Sequence, residues 1–132
     1  MNVIESIKNH EGFSATAYPD PITGSKPYTF GYGTTRISKH IAELQVKEDC
    51  DKIEKELNSK LLFYSNLPQN QKEVLVEMAY NIGIRGLLSF HNMLKALQGQ
   101  HMPRVVEEMK NSRWFKQVPN RANDLIKKMQ GI

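Results

Sequence analysis

Apolar residues recur at helical spacing through most of this 132-residue chain, with one interruption near its start. Val3, Ile4 and Ile7 form a stripe that predicts a first helix over 3–11, with Asn2 as its cap and Glu5 in the capping-box position three residues on. Glu11 follows Ile7 by four, which puts its carboxylate on the buried side of that stripe, and Gly12 is expected to end the helix in a left-handed conformation. The pattern then changes. Over 13–33, Tyr28, Phe30 and Tyr32 alternate with Thr29, Gly31 and Gly33, while Pro19, Pro21, Gly24 and Pro27 punctuate the stretch. This predicts a β-hairpin turning at 22–25.

Helical spacing resumes with Val46, Cys50, Ile53, Leu57 and Leu61. These predict a long amphipathic helix over about 39–63, capped by Ser38, whose other face carries opposite charges one turn apart. After Ser65, Asn66 and Pro68 comes a helix over 69–82 with Val74, Leu75, Met78, Ala79 and Ile82 inward, broken by Gly83 and Gly86. Phe90, Met93, Leu94 and Leu97 mark a short helix stopped at Gly99, and Pro103 starts another with Val105, Val106 and Met109 inward. Trp114 and Phe115 are expected to anchor the C-terminal core, and Pro119 opens a last helix bearing Leu125, Ile126 and Met129. The fold class is therefore α+β, mostly α.

Composition narrows the function. Hydrophobic residues make up 39% and charged residues 24%, which suits one globular domain rather than a disordered chain. No apolar run approaches the roughly 18 residues of a membrane span, and the N-terminus lacks the basic and apolar regions of a secretory signal. Cys50 is the single cysteine; it excludes an internal disulfide and reads as a small core residue rather than a catalytic thiol. The histidines at 10, 40, 91 and 101 show no metal-ligand spacing, so neither a metal nor a cofactor is expected. A net charge of +4 and a pI near 9.2 suit an anionic polymer such as nucleic acid, cell wall or a lipid surface, or serve solubility alone.

Three residues near the start carry the candidate chemistry. Glu11 is placed on an apolar face at a helix C-terminus, an unfavourable position for a negative charge, which suits a general acid that must hold its proton. Asp20 lies between two prolines that stiffen its backbone. Thr29 shares a strand face with two glycines, so a ligand can approach the backbone there. Singly, each has an ordinary reading as a surface glutamate, a turn aspartate or a β-prone threonine. Together, within twenty residues, they form a glycosidase acid/base pair with a water-holding hydroxyl.

With these residues in place, the chain resembles the lysozymes of tailed bacteriophages, glycoside hydrolase family 24, and most closely their T-even type. Three blocks carry the resemblance: Glu11-Gly12 through Tyr18-x-Asp20 to Thr29-Phe30-Gly31-Tyr32-Gly33; Leu67-Pro68-Gln69-Asn70-Gln71 leading to Tyr80-Asn81-Ile82-Gly83; and Ser112-Arg113-Trp114-Phe115-Lys116-Gln117 with Pro119-Asn120-Arg121-Ala122. It implies a lysozyme-like two-lobed fold, with a β-hairpin lobe over about 12–38, a connecting helix over about 39–63, and a helical C-terminal lobe over about 66–132 joined by the first helix.

The resemblance also implies roles. Glu11 would protonate the glycosidic oxygen, while Asp20 and Thr29 hold and activate the attacking water. Arg121 would lie beside Glu11, Tyr80 would pack on a sugar ring, and Thr35, Asn81 and Met93 would bind substrate. Two features depart from the family pattern: the threonine lies nine residues after Asp20 rather than six, and Thr34 follows Gly33 where a histidine is common. The implied activity is an inverting muramidase that cuts the β-1,4 bond between N-acetylmuramic acid and N-acetylglucosamine in peptidoglycan and lyses the host. The implied partner is a glycan strand, with no nucleic acid and no stable membrane insertion, for a monomer. The protein would reside in the host cytoplasm until a phage holin releases it to the periplasm and cell wall. The competing readings are a lytic transglycosylase, which needs only the glutamate, and a non-catalytic cell-wall-binding module.

Overall fold

The computed structural model describes residues 2–11 and 36–132, with side chains from His40 onward in the second stretch, and among these residues every regular element is helical. The expected hairpin, with Asp20, Thr29 and Thr35, lies outside the described residues. The chain divides into two compact units, Met1–Lys52 and Ile53–Ile132, and the division falls inside a helix.

In the first unit, α1 runs over Val3–His10, and the Asn2 side chain accepts the Glu5 amide at 2.8 Å, as the capping pattern predicts. Ile7 is fully buried, whereas Val3 and Ile4 are half-buried. The Lys8 ammonium meets the Glu43 carboxylate at 2.6 Å, tying α1 to α2 (Arg36–Lys60). α2 begins before Ser38, so that residue lies within the helix rather than capping it. Its predicted stripe holds: Val46, Cys50 and Leu57 are buried together with Ala42, and Ile53 is half-buried. The opposite face is solvated, with Lys47–Asp51 and Lys60–Glu56 pairs one turn apart.

In the second unit, a single 3-10 turn over Tyr64–Asn66 joins α2 to α3 (Gln69–Leu88). Tyr64 is buried and its hydroxyl donates to the Glu54 carboxylate at 3.0 Å. Burial, reinforced by that carboxylate, raises the Tyr64 hydroxyl well above the ordinary tyrosine range. α3 differs in kind from α2. Every residue from Val74 to Ala79 is buried, Glu77 included, so this stretch has no solvent face. The helix breaks at Gly83, whose φ of 87° and ψ of 158° are open essentially to glycine alone. Gly86 does not break it: it sits in the resumed turn, where a Cβ would come within 3.1 Å of the Ile82 side chain.

Four shorter helices follow: α4 (His91–Gln98), α5 (Met102–Lys110), α6 (Arg113–Gln117) and α7 (Pro119–Gln130). Their limits follow the punctuation in the sequence. Pro103 and Pro119 occupy first-turn positions, Gly99 is the C-cap of α4, and the Ser112 hydroxyl accepts the Phe115 amide at 3.1 Å to cap α6. The left-handed residue after α4 is Gln100 (φ 55°) rather than Gly99. Its amide exchanges hydrogen bonds with that of the buried Gln71, at 2.9 and 3.2 Å, which holds the unusual backbone. α4 packs on α5, and α7 packs on α3, α5 and α6. Leu75, Met78, Leu97, Met109, Leu125 and Met129 form the centre of this core. At its edge, Lys128 of α7 meets Glu73 of α3 at 2.8 Å. Burial pulls the Glu73 carboxyl up, but the Lys128 ammonium and the Gln69 amide outweigh it and hold the group below its ordinary value.

Candidate active site

Glu11 ends α1 as its C-cap, with φ −85° and ψ 0° and its amide bonded to the Ile7 carbonyl at 2.8 Å. The side chain is exposed. This corrects the burial expected from the spacing after Ile7: the backbone at Glu11 is still helical, but α1 ends at His10 and no further turn of it covers the side chain. The helix also ends one residue sooner than expected.

The second unit carries an open groove of about 430 Å³. Its walls come from the end of α3, the start of α4, the end of α5 and one face of α6, with Phe90, Met93, Glu108, Arg113 and Trp114 among the lining side chains. Phe90 and Trp114 meet edge to face, with centroids 6.3 Å apart and planes at 82°, giving the groove an aromatic wall. The indole N–H of Trp114 donates to the Asn81 side-chain oxygen at 2.9 Å, so the ring is fixed in orientation as well as in position. Glu108 accepts from Arg104 at 2.8 Å, and Arg113 is exposed at the rim. Apolar surface with a few oriented polar groups is the usual makeup of a ligand site.

The residues expected to bind substrate fare differently. Met93 lines the groove, whereas Asn81 stands behind its wall and accepts the Trp114 indole N–H. Met93 is fully buried, so it shapes the groove without offering a polar contact. Tyr80 is half-buried on α3, one residue before Asn81. Arg121 is buried on α7 and pairs there with Glu77: Nε donates to the carboxylate at 2.9 Å, with side-chain exposures of 8% and 0%. Those values make this a core ion pair rather than a surface one. Glu77 is absent from the residues singled out by pattern alone. The signal for it is the run Val74-Leu75-Val76-Glu77-Met78-Ala79, in which a charge stands where each neighbour is apolar.

The described residues are thus mostly helical, and the second unit carries an aromatic-walled groove. By sequence the chain belongs to the phage lysozyme family, whose pattern it matches over residues 8–131. It is 35% identical over 63 residues to probable T4-type lysozyme 1 of Dictyostelium discoideum, an alignment covering 48% of this chain and 37% of that protein. It is 33% identical over 63 residues to probable T4-type lysozyme 2 of the same organism, with the same coverage. An endolysin of Bacillus phage B103 is 26% identical over 133 residues, 96% of this chain and 49% of that endolysin. The chain therefore spans half or less of the length of these relatives.

Proposed function

We propose that the protein is a lysozyme-type cell-wall hydrolase, a muramidase that cleaves the β-1,4 bond between N-acetylmuramic acid and N-acetylglucosamine with inversion. The observation that carries this reading is the family match over residues 8–131, which contains Glu11, Asp20 and Thr29 in one short block. Glu11 donates a proton to the departing glycosidic oxygen. Asp20, aided by the Thr29 hydroxyl, takes a proton from the water that attacks the anomeric carbon from the opposite face. An inverting site leaves room for that water by holding its carboxyls roughly 6.5–9.5 Å apart. The groove walled by Phe90 and Trp114 offers surface suited to a sugar polymer. In the biological setting, the enzyme waits in the host cytoplasm until a holin opens the route to the periplasm, and then lyses the cell as a monomer.

The test is clearing of outer-membrane-permeabilised cells by wild type, Glu11→Gln and Asp20→Asn. Both variants are expected to fold and bind cell wall while losing about 10²-fold or more in rate. Full activity in Glu11→Gln ends the proposal. A 1,6-anhydro product in place of a reducing-end muramic acid would turn it into a lytic transglycosylase, which does not use Asp20.

A further inference from the structure

Glu77 and Arg121 form an ion pair inside the C-terminal core, where two well-packed apolar side chains would serve stability as well or better. Arg121 is the third residue of α7, where the positive end of the helix dipole disfavours a cation, and Glu77 supplies the compensating charge. One turn further along α3, Asn81 accepts the Trp114 indole. The α6–α7 segment is thus fastened to α3 by two directional contacts, four residues apart on α3 and seven apart on the segment. Methionine and leucine contacts tolerate small slides between helices, whereas a donor and acceptor matched in distance and angle do not. What the fastened segment presents is the groove wall: Trp114, held against Phe90, with Arg113 beside it at the rim.

We propose that Glu77 is a positioning residue for the lysozyme reaction: by holding Arg121 it sets, together with Asn81, the register of α6–α7 on α3, and through that the placement of Trp114 and Arg113 in the substrate groove. The inference rests on the functional reading above.

Trp114 is the chain's one tryptophan, so its fluorescence and its indole N–H resonance report this register directly. The proteins to compare are wild type, Glu77→Gln and the paired apolar replacement Glu77→Leu/Arg121→Met, which keeps the core filled without a buried charge. Well below the melting temperature, both variants should shift the Trp114 emission to the red and move the indole resonance. Glu77→Gln should raise KM for a soluble glycan oligomer roughly tenfold while changing kcat much less. A Glu77→Gln protein with wild-type emission, indole resonance and KM overturns the proposal. Should that variant fail to fold, the paired replacement decides by the same emission and resonance. A wild type that cleaves no glycan overturns the functional reading and this role with it, a failure seen before any substitution is made.

Discussion

α2 and α3 are both long helices, of 25 and 20 residues, and they treat charge in opposite ways. α2 has one buried stripe, and its Lys, Glu and Asp residues stand in solvent, some paired along the helix. α3 has a stretch with no solvent side, and the one charge inside that stretch, Glu77, is matched by a guanidinium from a helix 44 residues downstream. On the solvated face of α2, pairs such as Lys47–Asp51 serve solubility and can be exchanged at little cost. On α3 the charge is a tertiary contact, and its value depends wholly on its partner.

The contrast is sharpest in the response to substitution. Replacing Glu77 with Leu removes one half of the buried Glu77–Arg121 pair and should destabilise the protein by about 3–5 kcal/mol, measured by urea unfolding. A loss below that of a surface charge would erase the distinction between the helices. The Glu73–Lys128 pair, at the edge of the α3–α7 contact, lies between the extremes and is read by pH. Its folded carboxyl is held below the ordinary 4.5, so its stabilisation is complete above that value and is lost as pH falls through the lower folded one. Melting temperature should therefore drop as pH falls from about 5 to about 3, and Glu73→Gln should flatten part of that drop. At the small end, Lys47→Ala removes an exposed α2 pair 3.6 Å long and should change stability by no more than about 0.5 kcal/mol in the same unfolding assay.

The same contrast explains what could be read from the chain alone. The α2 stripe was legible because one buried face in a polar helix leaves a clean period, as Val46, Cys50 and Leu57 show. The end of α4 and the starts of α5 and α7 were legible because Gly99, Pro103 and Pro119 act through their own backbone, whereas the five-residue α6, capped by Ser112, is too short to show a period. Glu77 was not, because a glutamate in a helical run ordinarily means solvent, and only the fold brings Arg121 to it. Exposure of Glu11 was missed for a related reason: periodicity holds inside a helix and lapses at its cap. For the candidate site, the resemblance named Asn81 and Met93, but the groove that Met93 lines was not legible, since Phe90, Glu108 and Trp114 come from separate parts of the chain.

The break at Gly83 gives α3 two hydrogen-bond ladders where a continuous helix has one. Helical order is cooperative only along an unbroken ladder. Opening of the turn at 84–88, which borders the groove at Gly86, therefore stops at Gly83 and does not unzip the stretch that holds Glu77. Backbone amides on the two sides are free to exchange with deuterium at unrelated rates. The groove edge can breathe while the centre stays closed, and it is the backbone torsion that separates them, for no side chain from elsewhere in the fold crowds the place a Cβ at 83 would take.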